Sequence, residues 1–153
     1  MCPLADQAGR PLWRVETVHD GDTVTCLDEA ARPRKIRLRG IDAPEYGQPW
    51  GDASRRALAG KLGGGVVRVE GEAIDQHGRL LGTLWIGERN LNRELVAEGQ
   101  AWVFGGFAPD EDLVEAEQAA RAARRGLWSG TEPPVPPRDW RAAHPRADGH
   151  PAP

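Results

Sequence analysis

Between Trp13 and the residues around Gly106, the β-branched and apolar runs are short, and most are punctuated by glycine, proline or an Asp-Gly pair. That punctuation constrains the fold more than any other feature. Runs of this length suit strands joined by tight turns and are too short for long helices or a membrane-spanning stretch of about 18 apolar residues. Trp13 to His19 and Thr23 to Leu27 flank Asp20-Gly21, a pair that favours the left-handed turn of a β-hairpin. Arg34 to Ile41 is a third alternating run, in which Ile36 and Leu38 point opposite to Lys35, Arg37 and Arg39. Val66 to Ile74 and Leu80 to Ile86 are two further strands, and Gln100 to Phe104 is a shorter extended run.

Three segments have helical character. Asp52 to Leu62 is bounded by Asp52 as a possible cap and by Gly63-Gly64-Gly65 as a stop. A short helix over about Asn90 to Glu98 is closed by Gly99. The third begins at Asp112-Leu113-Val114-Glu115, a capping-box pattern. Acids crowd its first turns and Arg121, Arg124 and Arg125 its last, which the helix dipole favours. Five strongly turned strands with about three helices predict an α+β fold built on a closed β-barrel. Pro133, Pro134, Pro136, Pro137, Pro145, Pro151 and Pro153 mark 130–153 as a Pro-rich extended or disordered tail. The expected organisation is therefore an extension over 1–12, a domain over 13–129 and that tail.

Charge and cysteine content narrow the function. A net charge of −3 excludes a surface coated in positive charge for sequence-blind binding of polyanions, so any anionic partner must be held locally. All of the 20 basic residues except Lys35 and Lys61 are arginine, whose planar fork suits phosphate oxygens. Arg32, Arg34, Lys35, Arg37 and Arg39 lie close together with no acid among them, a local basic strip. Cys2 and Cys26 are too few for a disulfide framework and have no zinc-ligand spacing, and they leave the redox compartment open. Residues 1–12 show neither the basic start nor the apolar core of a signal peptide.

The residues with chemical potential lie at strand ends. Asp42-Ala43-Pro44-Glu45 is a stiff loop, because Pro44 fixes its own φ and restricts Ala43, and it holds two carboxylates in a set geometry. If Asp22, in the first hairpin, stands beside Asp42, the pair with a backbone carbonyl and waters offers the all-oxygen coordination that calcium takes. Each feature has a plain alternative. Asp20-Gly21-Asp22-Thr23 makes a turn without any ligand, Asp75-Gln76-His77-Gly78-Arg79 connects two strands, and Arg37 and Arg39 suit a solvated strand face.

Together, Asp22-Thr23, Ile36-Arg37-Leu38, Asp42-Ala43-Pro44-Glu45 and Gly78-Arg79 resemble the staphylococcal nuclease (thermonuclease) family. The resemblance runs from about Trp13 to Trp128 and includes Glu94-Leu95-Val96-x-x-Gly99 and Gly126-Leu127-Trp128-Ser129. It implies a five-stranded OB-fold barrel with three helices and a calcium-dependent, sugar-nonspecific endonuclease of DNA and RNA, with magnesium the lesser alternative. By motif, Asp22 and Asp42, with the Ala43 carbonyl, correspond to the metal ligands. Arg37 and Arg79 correspond to the phosphate-binding arginines and Glu45 to the residue that positions or deprotonates water. Lys35 and Arg39 are expected to meet the substrate. His77 and Phe107 are assigned to it as well, because they and Gly105 stand where the family's best-known members place tyrosines around the nucleotide. Resemblance further implies single-stranded DNA and RNA as preferred substrates, a monomer, export from the cytosol and products with a 3′-phosphate. The competing expectations are a non-catalytic OB-fold module that binds single-stranded nucleic acid and, more plainly, a domain whose loop acids are merely solvated.

Overall fold

The computed structural model describes residues 4–104 and 109–145. Strand β1 (Trp13–Asp20) turns through Gly21-Asp22 into antiparallel β2 (Thr23–Leu27), and β2 pairs with β3 (Pro33–Leu38). After β4 (Ile41–Asp42) and helix α1 (Gly51–Leu62), β5 (Val66–Glu70) pairs antiparallel with β1 and with β6 (Leu80–Ile86). Parallel pairing of β6 with β3, Ile36 opposite Leu80 and Leu38 opposite Gly82, closes the five-stranded barrel and leaves no open edge between them. The short β7 (Arg89–Asn90) folds back antiparallel on β6 and leads into α2 (Leu91–Ala97), while β8 (Trp102–Val103) pairs with β4. Helix α3 (Glu111–Ala122), a single 3-10 turn (Gly126–Trp128) and α4 (Pro137–Ala143) complete an α+β fold of the OB type.

The alternation expected in β3 is present: Ile36 and Leu38 are fully buried, whereas Lys35 is exposed. They join Val24, Val67 and Leu84 inside the barrel, and Leu91, Leu95 and Leu113 seal its end from α2 and α3. Asn92 is the buried polar link between these layers. Its amide donates to the carbonyls of Arg39 (2.9 Å) and Gly82 (3.1 Å) and accepts from Leu84 N, so α2 fixes the turn that follows β3.

Several boundaries differ from those expected. Arg34 to Ile41 is not one strand. Gly40, at φ 81°, turns the chain, so that Ile41 and Asp42 leave the barrel and pair with β8. The run from Val66 stops at Glu70 because Gly71 takes φ 147°, and Ile74 keeps only an isolated bridge to Leu80. Asp52 does not cap α1. Trp50 holds that position with a left-handed φ of 74°, and Asp52 pairs with Arg55 and Arg56 in the helix's own first turns. The cap of α3 is Asp110, whose carboxylate accepts from Asp112 N at 2.8 Å. The tail expected to be extended contains α4. Pro137 at its first turn lacks only an N–H that a helix start leaves unpaired anyway, and Arg138 to Ala143 are compatible with helix.

Candidate active site

The first hairpin meets the β4 loop because residue 21 is a glycine. A Cβ there would stand 2.8 Å from the Cβ atoms of both Ala43 and Ser54, so only glycine allows this approach. The contact puts Asp22 against the stiff loop: its Oδ2 accepts from Ala43 N at 2.8 Å and its Oδ1 from Thr23 Oγ1 at 2.9 Å. Arg37, paired with Thr23 across the sheet, brings its guanidinium between the carboxylates. Nη2 lies 3.4 Å from Asp22 Oδ2 and 3.3 Å from Asp42 Oδ1, and Nη1 donates to the carbonyls of Leu38 and Ile41, each at 2.8 Å.

Glu45 follows on the same loop. Its amide donates to Gln48 Oε1 at 2.9 Å and its side chain is 7% exposed. Oε1 accepts from Arg141 of α4, and Oε2 is buried without a partner among the described residues. Arg79 is held at the far wall by Asp75, four residues before it, which accepts from the Arg79 amide at 2.9 Å, from Nε at 2.8 Å and also from His77 N. This turn uses one edge of the Arg79 guanidinium and leaves both Nη groups without a protein partner among the described residues.

These side chains line a single cavity of about 810 Å³ with Lys35, Arg39, His77, Phe104 and Arg141. Of the residues singled out from sequence, Asp22, Asp42, Glu45, Arg37, Arg79, Lys35, Arg39 and His77 all border it, and Ala43 is tied to it through Asp22. Phe107 lies outside the described residues. Among the side chains that sequence reasoning did not assign to the site are Asp75, Phe104 and Arg141, which line the cavity, and Asp20, which is hydrogen-bonded to Asp22 N. Asp75 was within reach from its four-residue spacing to Arg79 inside a turn motif, and Asp20 from its place in the hairpin. Nothing local in the sequence points to Arg141.

Asp42 and Glu45, which border the cavity, and Asp20, whose Oδ1 accepts from Asp22 N at 3.0 Å, are all buried. Burial, reinforced by the Asp22 charge, pushes Asp20 up to about 8. Asp42 is pushed up to about 6 by burial and by Asp22, with Arg37 and Arg141 opposing. Burial also raises Glu45 against the counter-effect of Arg141. Burial, with repulsion from Asp22, thus disfavours the ionised form of these carboxylates, and a cation taken up at the site would offset that cost. The donors there are carboxylate oxygens, and among the described residues no group of three or more His, Cys, Asp or Glu side chains is arranged as a metal cage. Asp22 and Asp42 could hold a hard cation only with most of its coordination left to carbonyl, water or substrate oxygens.

Comparison with known proteins gives this geometry its lineage. Residues 35–130 match the family model described as staphylococcal nuclease homologue. The chain belongs to the staphylococcal nuclease family. Among its relatives are an uncharacterized endonuclease of Haemophilus influenzae, 34% identical over 84% of this chain and 71% of that protein. An uncharacterized endonuclease of Escherichia coli is 39% identical over 84% of this chain and 83% of its own length. A micrococcal nuclease of Shigella flexneri is 35% identical over 87% and 84%. As a staphylococcal nuclease homologue, the protein has nuclease activity as its family-level function and nucleic acid as its substrate class. No described helix is long and apolar enough to cross a membrane.

Proposed function

We propose that the protein is a calcium-dependent, sugar-nonspecific endonuclease that hydrolyses phosphodiester bonds in DNA and RNA, preferring single strands and leaving a 3′-phosphate. The observation that carries this reading is the convergence of Asp22, Asp42, Glu45, Arg37 and Arg79 on one cavity. Carboxylate oxygens of Asp22, Asp42 and Glu45, buried around one cavity, fit a hard divalent cation, calcium before magnesium, at Asp22, Asp42 and the Ala43 carbonyl. When bound, such an ion supplies positive charge to the phosphate and to a nearby water.

The chain's own residues account for the rest. A phosphodiester is anionic and water is a poor nucleophile, so the site must neutralise phosphate oxygens while orienting water in line with the bond that breaks. Arg79, braced by Asp75, has its Nη edge available to fork two such oxygens. Arg37 stands between the acid pair and the rim, where its charge adds to the same field. Charge on the equatorial oxygens is more concentrated at the transition state, so these arginines bind it preferentially. Glu45 accepts a water proton as the water oxygen bonds to phosphorus and the P–O5′ bond breaks, the 5′-oxygen taking a proton from solvent as it leaves; burial raises the basicity of Glu45. Lys35, Arg39, His77 and Phe104 line the same cavity; the two cations suit flanking phosphates and the two rings suit a base. The same assignment extends to Phe107 by family motif alone.

The test is cleavage of single-stranded DNA, denatured DNA and RNA with calcium, with magnesium and with chelator. Cleavage of all three substrates in calcium and none in chelator is expected. Full activity in chelator overturns the metal requirement, and oligonucleotide binding without cleavage replaces the enzyme with a binding module.

A further inference from the structure

Helix α4 lies beyond the matched segment 35–130, yet it contributes a side chain to the cavity. Arg141 Nη1 donates to Glu45 Oε1 and lies 4.0 Å from Asp42 Oδ1. One guanidinium nitrogen therefore stands between the carboxylate assigned to water and a carboxylate assigned to the cation. In this arrangement neither oxygen of Glu45 is available: Oε1 is taken by Arg141, and Oε2 is buried. A second tie joins the same loop to the tail, since Gln48 accepts from Glu45 N through Oε1 and donates through Nε2 to Val135 O. The strap is otherwise lightly held. Pro137 is the buried residue of α4, and Val135, Arg138 and Asp139 are exposed. Little apolar surface opposes its release, whereas a divalent cation brings more charge to Asp42 than a guanidinium does.

We propose that α4 is a tethered autoinhibitory strap whose Arg141 occupies the cation's place beside Asp42 and ties up Glu45, so that divalent-metal binding and strap release are coupled. This rests on the metal reading above. Release frees a carboxylate oxygen of Glu45 for water and opens the floor of the cavity from one side. Because Arg141 and the cation compete for the same negative field, each weakens the other by the same factor.

The experiment uses the full chain as wild type, as Arg141→Gln and as Ala142→Pro, which breaks α4 without touching the barrel core. Calcium binding is measured by titration calorimetry, and hydrogen exchange of the amides in 138–143 is followed with and without calcium. Both variants should bind calcium about fivefold tighter or more, the scale of a partly buried, charge-assisted pair. Calcium should also accelerate exchange in α4 of the wild type. Equal or weaker binding in the variants, or α4 protection unchanged at saturating calcium, overturns the strap while leaving the endonuclease reading intact. If none of the three proteins binds calcium, the metal reading falls, and the competition falls with it.

Discussion

Arg37 and Arg79 carry the same formal charge into the cavity but are held in different ways, so their loss has different consequences. Among the described residues, the Arg79 guanidinium is paired only with Asp75 of its own turn. Arg79→Ala should reduce nuclease turnover by about a hundredfold or more while leaving the melting temperature nearly unchanged. Asp75 acts through Arg79, and Asp75→Ala should lower kcat by about tenfold as the fork loses its aim, with Asp75→Asn restoring part of it. Arg37 instead satisfies the carbonyls of Leu38 and Ile41 and lies between Asp22 and Asp42. Arg37→Ala should therefore abolish cleavage and also destabilise the fold by about 1–3 kcal/mol in metal-free buffer, because it leaves buried acceptors and like charges unpaired. Thermal melts beside single-turnover rates separate the two arginines.

Elements set where these residues meet, and two joints between elements are open to test. The first is the approach of the β1–β2 turn to the β4 loop. Gly21→Ala forces its new Cβ into those of Ala43 and Ser54, both rigidly attached to backbone, so the hairpin must move away. A cost of about 1–3 kcal/mol and a larger proportional loss of activity are expected, read from denaturant midpoints and cleavage rates. The second is the ionic joint on the far side of α2. Glu94 accepts from Arg89 Nε and Nη2 at 2.8 and 2.7 Å and from Lys61 of α1 at 3.0 Å. The Arg89 hydrogen bonds foremost, with Lys61 assisting, hold its carboxyl down at about 2 from the ordinary 4.5. The unfolded chain thus takes up this proton first as pH falls. The contribution of Glu94 to stability is complete above pH 4.5 and is lost as pH falls toward 2. Melting temperature followed across that window should fall less steeply for Glu94→Gln than for the wild type, with the difference reduced in high salt because the joint is partly exposed.

At the scale of the whole molecule, a chain of net charge −3 brings Lys35, Arg39 and Arg79 together on the wall of one cavity. At about −0.7 per phosphate contact on single strands, oligonucleotide affinity should fall with a log–log salt slope of about −2. A flat profile, measured on Glu45→Gln to prevent cleavage, removes these three from the substrate path. The barrel strands and three helices were legible because each is written in local terms: alternation in β3, Asp-Gly at the hairpin, glycine after α1 and charged ends on α3. Their boundaries were less so, since the ends of β3 and β5 depend on glycine φ values that only the closed sheet selects. The principal candidate residues that meet at the cavity were legible for the same local reason, lying in short motifs at strand ends. Asp20 as a buried acid and Asn92 as the lock on the β3 turn were not, because burial and hydrogen-bond partners are properties of packing. Arg141 is the extreme case. It meets Glu45 across a separation of 96 residues, from a proline-rich segment whose periodicity says nothing of a partner. The sequence by itself determined the elements and the kinds of side chain brought to the cavity, since these follow from short-range backbone preference and chemistry. Only the tertiary structure decided which charges face one another, because Coulomb energy and desolvation depend on distance through space, and chain order does not contain it.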